Sequence, residues 1–397
     1  MHYPYAGKYL RVDLDKKLFE DVTLTPDEVK TYLLGSGMAA HLFKQSLDAG
    51  LVPDDPLDPA NTLYAFNGLL TGTFSPTGCR SSWCARSPLT GLWGESNVGG
   101  HWGAELRFAG YDGVVVEGGS ATPVYLWIDS TSGVVEIRDA QHLWGEDQFV
   151  SHAKIREETD KRAQVASIGP AGENLVHFAA ILQGGAGHSR AAGRTGMGAV
   201  MGAKKLKAIA VRGKNKPEYP DLNAFRDLVK EMNNSIREKS AGATMYGTAG
   251  GVPGAEVYGD LPLKNWQKGS WPDGAHKISG QNIHETIWVK HMYCFACPIG
   301  CGKQVEVKEG PYAGVKGEGP EYETIAGFGS NLLIDDIRAV SKMNELCNRL
   351  GLDTITTSGT IAFAIEAFEK GLLTLDDTGG LILQWGDPQI VIQLIEM

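Results

Sequence analysis

Alternating apolar and polar residues dominate the first half of the chain and predict β-strands there. Residues 8–14 alternate, 114–117 form a short apolar run, and 123–128 and 133–137 flank a polar turn as the arms of a β-hairpin do. Helical spacing of apolar residues predicts helices at 25–34, 38–49 and 147–158. Two further strands, 164–168 and 208–211, are expected on either side of a glycine-rich segment with loop composition.

The second half of the chain has mainly helical spacing. Helices are predicted at 222–237, 336–350 and 361–369, the last two followed by Gly351 and Gly371 as stops. Residues 213–220 have linker composition, so we predict one domain at 1–213 and a second at 221–397. The expected fold class is α+β, with a β-rich N-terminal domain of two sheets followed by a mainly α-helical domain. A further amphipathic helix begins at Asp387 and reaches Met397 without a cap, which we interpret as a truncated or split product.

Three cysteines in that second half, Cys294, Cys297 and Cys301, have the spacing C-x-x-C-x-x-x-C. Thiolates at this spacing can point toward one centre the size of a cubane cluster, which favours an iron–sulfur site. Zinc is an alternative, although residues 302–310 supply no fourth Cys or His for a closed tetrahedral site. Three buried structural cysteines are the other alternative.

Composition limits the classes of function. A net charge of −10 and a pI near 5.5 argue against nucleic acid or an anionic membrane as partner. No apolar stretch suggests a secretory signal or membrane insertion, and six cysteines in 397 residues do not form a secreted disulfide framework, so a cytoplasmic protein is expected. The 51 glycines occur in clusters, which indicates close approach of the backbone to something bound.

Several polar residues in glycine-rich or turn-rich segments are candidates for binding or catalysis. Arg80 lies in a turn-rich loop and Asn97 in the segment 94–103, where many glycines allow backbone groups to face a ligand. Arg190 and Arg194 lie in 184–207, which matches neither a P-loop nor a dinucleotide fingerprint but suits an anionic, phosphate-bearing cofactor. Glu323 is a candidate general base or a surface acid, and Asp353 caps the next helix or binds a polar ligand.

Taken together, these segments resemble the aldehyde:ferredoxin oxidoreductase family of tungsten enzymes. The resemblance extends from Tyr5 to the end of the chain. It is carried by seven further segments: the loop at 94–103, AGYD (109–112), IGPAGEN (168–174), RAAGR (190–194), VMG (200–202), the cysteine motif and GLDT (351–354).

The resemblance implies tungsten, or molybdenum, held by two pyranopterins whose phosphates are bridged by Mg, with a 4Fe-4S cluster beside one pterin. It implies oxidation of aldehydes to carboxylic acids, with electrons passing through the cluster to ferredoxin or a similar carrier, on a β base covered by helical domains. Cys294, Cys297 and Cys301 would bind the cluster and Glu323 would be the active-site acid. The residues that the family's pattern assigns to the pterin and Mg are Arg80, Asn97, Gly99, Arg190, Ala191, Gly193, Arg194, Asp353 and Thr354. Among them, the backbones of Asn97 and Ala191 match the carbonyls that bind Mg.

The family pattern also sets limits on this chain. Members continue for roughly another domain, which supplies a fourth cluster cysteine, a second pterin motif and an active-site histidine. Cys347 lies on the apolar stripe of a predicted helix and is expected to pack rather than to bind metal. An inactive or split fragment that needs a separate C-terminal part therefore stays open, as does a sister enzyme acting on an acyl thioester or a hydroxycarboxylate. A homodimer is one assembly to consider.

Overall fold

The computed structural model describes residues 4–397, which divide into two compact units. The first unit consists of residues up to Ile236 together with two later segments, Cys294–Pro298 and Arg349–Leu352. The second unit consists of Arg237–Tyr293, Ile299–Asn348 and Asp353–Met397.

Two six-stranded sheets form the framework of the first unit, as the fold prediction expects. The strands of the first sheet are β1 (Lys8–Asp13), β2 (Leu18–Thr23), β3 (Leu63–Asn67), β4 (Ser81–Arg86), β5 (Trp93–Val98) and β6 (Gly113–Glu117). Those of the second are β7 (Val124–Asp129), β8 (Val134–Asp139), β9 (Gln164–Ser167), β10 (Ile181–Gly185), β11 (His188–Ala192) and β12 (Leu206–Arg212). The orders are β2-β1-β6-β3-β4-β5 and β11-β10-β9-β12-β7-β8, antiparallel except for β1 with β6 and β7 with β12.

Helices of the first unit pack between and outside the sheets. They are α1 (Pro26–Tyr32), α2 (Gly35–Asp48), α3 (Trp102–Phe108), α4 (Gln148–Glu158), α5 (Pro170–Glu173) and α6 (Met197–Ala203), with a 3-10 turn at Gln141–Leu143; α7 (Leu222–Lys239) contains the division between the units. The main core lies where inward side chains of both sheets meet α3 and α6. Trp102 is central there, because its ring packs 4.9 Å from Trp83 of the first sheet and its indole N–H donates to the Ile209 carbonyl of the second at 3.0 Å.

Two of the sequence segments that carry the family resemblance have structural roles in this unit. The buried carboxylate of Asp112 accepts from the backbone N–H groups of Ala6 and Gly7 at 2.9 and 2.7 Å and forms an ion pair with buried Arg107. Glu173 pairs with the buried Lys207 and accepts from the Gly145 N–H at 2.7 Å. These carboxylates hold the N-terminal segment and a loop in place, because buried charges need such partners.

The second unit is mainly helical, as predicted. Its helices are α8 (Ala241–Tyr246), α9 (Val252–Tyr258), α10 (Pro272–Lys277), α11 (Gly280–Thr286), α12 (Tyr322–Phe328), α13 (Ile337–Leu350), α14 (Thr354–Glu369) and α15 (Pro388–Glu396), with 3-10 turns at Thr248–Gly251 and Ser330–Leu332. A small antiparallel sheet of β13 (Trp288–Met292), β14 (Gly302–Glu306) and β15 (Lys316–Glu318) accompanies them. No helix among residues 4–397 has the length and apolar character needed to cross a membrane.

Capping side chains and the predicted stop at Gly351 account for several helix bounds. Asp147 and Asp387 accept N–H bonds at the first turns of α4 and α15, and Gly351 follows α13 with φ +79°. α14 begins seven residues before the predicted start, because Asp353, two residues after Gly351, caps it. The prediction was wrong for 169–207, where β10, β11, α5 and α6 form instead of a loop-rich segment.

Candidate functional site

The outermost strands β5 and β11 of the two sheets lie together in the first unit. The Arg194 N–H donates to the Ser96 hydroxyl at 3.1 Å, and the Ser87 hydroxyl donates to the Thr195 carbonyl at 2.8 Å. Two predicted Mg-binding positions, Asn97 and Ala191, lie on these two strands and are exposed. A strand that ends a sheet has backbone groups along one edge that no neighbouring strand uses, so both strands can offer carbonyls to a ligand.

The cysteine segment of the first unit packs against the turn that follows β5. The Phe295 N–H donates to the Gly100 carbonyl at 3.1 Å, and the Cys297 N–H closes a turn on the Cys294 carbonyl at 3.1 Å. The ring of Phe295 meets His101 and Phe108 edge to face, at 6.3 and 5.7 Å between centroids. Gly99 has to be small, because a Cβ atom there would lie 2.9 Å from the Cys294 sulfur.

Several groups around Cys294 favour its thiolate. Hydrogen bonding from the Cys79 thiol lowers the pKa of Cys294, assisted by a hydrogen bond from His188 and the positive charge of Arg190, against the opposing effect of burial. The same hydrogen bond and burial raise the pKa of Cys79, which is 6% exposed. A thiolate is the form of cysteine that binds metal, and these surroundings favour that form at Cys294.

A buried amide faces the same region from β10. Gln183 lies directly opposite Arg190 in the β10–β11 pair, and the two side chains therefore share one face of the sheet. Gln183 is 2% exposed, and neither its amide nitrogen nor its amide oxygen has a hydrogen-bond partner. A Cβ atom at Gly100 would lie 3.3 Å from the Gln183 oxygen. An unsatisfied buried amide costs free energy, which a ligand with donors and acceptors would recover.

The other candidates of the first unit lie on loops beside these strands. Arg80 is exposed at the start of β4, next to Cys79, and its carbonyl accepts from Gly68 N–H and the Thr71 hydroxyl at 3.0 and 2.6 Å. Gly193 and Arg194 follow β11 directly. The described geometry therefore places nine of the predicted residues in the first unit, namely Arg80, Asn97, Gly99, Arg190, Ala191, Gly193, Arg194, Cys294 and Cys297.

Three of the predicted residues lie near two helix N-termini of the second unit. Glu323 is exposed in the first turn of α12, and its neighbour Thr324 shares a 2.8 Å hydrogen bond with Thr354 at the start of α14. Asp353 is 3% exposed and caps α14, since its two carboxylate oxygens accept from the N–H groups of Ile355 and Thr356 at 3.1 and 3.3 Å. Glu323, Thr354 and Asp353 are thus brought together by the packing of α12 on α14.

The remaining cysteines have different surroundings. Cys301 belongs to the second unit, where its carbonyl accepts from the buried Lys303 ammonium at 3.0 Å. Cys347 is fully buried in α13, as expected for a packing residue, and burial raises the pKa of its thiol. Within residues 4–397, no three or more His, Cys, Asp or Glu side chains are grouped as a metal site. The assignment of Cys294, Cys297 and Cys301 as cluster ligands stays a prediction.

Sequence reasoning missed three residues of this region: Cys79, Gln183 and His188. Cys79 precedes Arg80 in a segment that was singled out for its arginine alone, and His188 lies just before RAAGR. Gln183 directly follows the apolar run Ala179–Leu182, and a polar residue at the end of such a run gives no signal of a buried, unpartnered amide. All three become recognisable only when β10, β11 and the cysteine segment are packed together.

Comparison with known proteins agrees with this architecture. Cysteines, arginines and glycine turns on converging sheet edges are typical of a site for an anionic, metal-containing group. The family model described as aldehyde ferredoxin oxidoreductase, N-terminal domain, matches residues 9–213, and the model for domains 2 and 3 of that family matches 227–397. The chain belongs to the aldehyde ferredoxin oxidoreductase family.

Individual relatives show how far the likeness extends. Tungsten-containing aldehyde ferredoxin oxidoreductases of Pyrococcus furiosus and Thermococcus kodakarensis are each 42% identical to this chain, over 99% of its length and 64% of their own. The aliphatic sulfonate oxidoreductase, WOR-like subunit, of Pyrococcus furiosus is 32% identical over 100% of this chain and 64% of its own. A solved structure, the active site complex BamBC of benzoyl coenzyme A reductase with 1,5 dienoyl-CoA, has 30% identity and a TM-score of 0.84 and covers 99% of this chain and 60% of its own. The chain thus spans less than two thirds of the length of these proteins.

The described residues fit the groups that the family name implies. The missing Cβ of Gly99 leaves room beside the Cys294 sulfur, and the unpartnered Gln183 amide offers a donor and an acceptor next to Arg190. Thiols suit iron, whereas arginine and exposed strand carbonyls suit a phosphate-bearing cofactor with its cation.

Proposed function

We propose that these 397 residues belong to an oxidoreductase that oxidises aldehydes to carboxylic acids at a bis-pyranopterin tungsten centre, molybdenum being the alternative metal. The observation that carries the proposal is the placement of Cys294 against Gly99, Cys79 and His188, next to Arg190 on the outermost strand of the second sheet. The names of the 42% identical relatives support tungsten, an aldehyde and ferredoxin as metal, substrate and electron acceptor. The bound groups would supply two-electron redox chemistry at the metal and one-electron transfer at a 4Fe-4S cluster.

The residues of the chain then have distinct tasks. Cys294, Cys297 and Cys301 are the proposed cluster ligands. Backbone carbonyls of Asn97 and Ala191, on strands that end their sheets, would bind Mg. Three kinds of contact would hold the pterins and their phosphates. The guanidinium groups are those of Arg80, Arg190 and Arg194. The backbone would approach closely at Gly99 and Gly193, and the start of α14 would contribute Asp353 and Thr354.

Glu323 is the proposed active-site base. Its carboxylate is exposed at the first turn of α12, where the helix N-terminus favours negative charge. An ionised carboxylate can take a proton from water or from a hydrated aldehyde as the carbon–oxygen bond of the acid forms. Thr324 and Thr354, bonded to each other at 2.8 Å, fix the two helix starts on which Glu323 and Asp353 lie.

The proposal extends to the setting of the reaction. We propose a ferredoxin-type protein as electron acceptor and the cytoplasm as location. All six cysteines are free thiols, which agrees with a reducing compartment.

A sister activity is the second candidate. The structural neighbour is named as a benzoyl coenzyme A reductase, and the relative named as an aliphatic sulfonate oxidoreductase subunit is 32% identical, so a substrate such as an acyl thioester is compatible with the same β base. The higher identity to the relatives named as aldehyde ferredoxin oxidoreductases favours aldehydes. The third candidate is a chain that is inactive alone and needs a separate C-terminal part.

Metal analysis of the anaerobically purified chain, produced in a host that makes the pterin, tests the proposal. We expect W or Mo, Mg and about four Fe per chain, and viologen reduction with aldehydes in the protein that carries these groups. Cys297→Ser should lower the iron content, whereas Cys84→Ser, a buried cysteine of β4 outside the site, should retain it. Absence of iron from the wild type, or equal iron in both variants, would contradict the proposal. Metal without aldehyde activity, but with turnover of an acyl thioester, would support the sister activity.

A further inference from the structure

Two polar side chains of β11, His188 and Arg190, form a hydrogen-bonded pair on one face of the strand. They are two residues apart, so their side chains point to the same side of the sheet. The Nε–H of Arg190 lies 3.2 Å from Nε2 of His188. Arginine is a donor only, so Nε2 of His188 has to be the acceptor, and the neutral ring then carries its proton on Nδ1.

The remaining ring proton has a partner in the cysteine segment. His188 forms a side-chain hydrogen bond with Cys294, and with Nε2 occupied by Arg190 the donor is Nδ1–H. The ring of His101 meets His188 edge to face at 5.6 Å and also contacts Phe295, the residue after Cys294. The Arg190 guanidinium, the His188 imidazole and the Cys294 sulfur are therefore joined by successive hydrogen bonds within the first unit.

We propose that His188, oriented by Arg190, donates a hydrogen bond to the Cys294 sulfur and thereby raises the reduction potential of the iron–sulfur cluster that this cysteine binds. The inference rests on the proposed function, because it requires a cluster at Cys294. His188 is a positioning and tuning residue, since it acts through the ligand sulfur.

The physical reason is the charge that reduction adds. One electron, supplied by dithionite in the experiment below, increases the negative charge on the ligand sulfurs without forming or breaking a covalent bond. An N–H donor on an imidazole that is itself hydrogen-bonded to a guanidinium stabilises the reduced cluster more than the oxidised cluster. The equilibrium therefore shifts toward the reduced cluster. The same arrangement orients the ligand, as outer hydrogen bonds do at metal sites in general.

The test is an anaerobic redox titration of the full chain with dithionite, followed by the electron paramagnetic resonance signal of the reduced cluster, with iron measured on each sample. His188→Leu removes the donor, and we expect the equilibrium constant for reduction to fall about tenfold, which for one electron is about 59 mV. His188→Asn can place an amide N–H where Nδ1–H stood and should recover most of the wild-type potential. His276→Leu, an exposed histidine of α10, is the matched control and should change nothing.

The outcomes separate the inference from the function on which it rests. Full iron with an unchanged potential in His188→Leu would overturn the inference and leave the proposed function intact. A wild-type chain that binds no cluster would overturn both. If His188→Leu loses its iron, His188→Phe replaces it in the titration, because phenylalanine keeps a ring but has no hydrogen-bond donor. We expect the same fall in the reduction potential for His188→Phe. An unchanged potential in that variant would overturn the inference.

Discussion

The two units use their polar candidate residues differently. In the first, the candidates lie on outermost strands and glycine turns, and the buried Gln183 amide has no partner within the described fold. In the second, Asp353 engages both carboxylate oxygens in the cap of α14. A buried polar group that the fold leaves unsatisfied can gain its hydrogen bonds from a ligand, whereas a capping acid stabilises the protein whether or not a cofactor is present.

The largest effect is expected from filling the space at Gly99. In Gly99→Ala the new Cβ would lie 2.9 Å from the Cys294 sulfur and 3.8 Å from that of Cys79, so Cys294 has to move. We expect about tenfold less iron per chain, measured by elemental analysis after anaerobic purification. Gly254→Ala is the control, because no atom lies within 4 Å of a Cβ at that helical position. Equal iron in the two variants would show that the turn after β5 does not support the metal site.

Acid should destabilise the first unit through His152 of α4. Burial, with a smaller contribution from the positive charge of Arg156, lowers the pKa of His152 from 6.5 to about 4. Between these values the unfolded chain binds a proton that the folded chain does not, so the free energy of unfolding falls as the pH drops from 6.5 to 4. The loss is at most about 3 kcal/mol.

His152→Phe should remove this contribution and give a flatter dependence of unfolding free energy on pH, measured by urea denaturation from pH 4 to 7. His177→Phe, an exposed histidine of the same unit, is the control. Identical pH profiles for His152→Phe and the wild type would show that His152 is not buried neutral.

Replacing the unpartnered amide of Gln183 should have opposite effects on the stability of the chain and on its metal content. Gln183→Leu should raise the free energy of unfolding of the metal-free chain by about 1–2 kcal/mol, because an unsatisfied buried amide is removed. The same variant should retain less W or Mo when it is produced in a host that makes the pterin. A variant that is less stable without metal would mean that Gln183 has a structural partner, and the contrast between the units would weaken.

The smallest effect is expected in the second unit. Asp353→Ala removes the cap of α14 and should cost about 1 kcal/mol in the metal-free chain, measured by denaturation. Asp353→Asn retains an acceptor for the Ile355 N–H and should cost less. Should both variants be as stable as the wild type, Asp353 would not be a capping residue and would resemble the candidates of the first unit.

The sequence predicted those parts of the fold that depend on local patterns. The β7–β8 hairpin and the helices capped by Asp147 and Asp387 follow from alternation, turn residues and capping chemistry over short distances. The β10–β11 pair was missed because β10 ends in two glycines and β11, with the sequence HSRAA, has none of the β-branched residues typical of strands.

The candidate site was predictable where a short motif or a family pattern marked it. The cysteine spacing indicated Cys294, the glycine-rich segment 184–207 indicated Arg190, and the family resemblance indicated Gly99; the structure places the three in the first unit. The contacts of Cys79 and His188 with Cys294 join residues more than one hundred positions apart, and no periodicity in a single sequence records such packing.

The first unit is built from segments that the ribosome synthesises at widely separated times. Its last segment, Arg349–Leu352, lies more than one hundred residues beyond Ile236, and Cys294–Pro298 lies between them. At a translation rate of about 5–20 residues per second, the ribosome needs about 6 to 23 seconds to add that stretch. The two sheets can form before Cys294 has been synthesised, so this proposed metal ligand joins a β framework that has already folded. Iron bound by Cys294 would therefore be loaded only after the strands of both sheets have been synthesised.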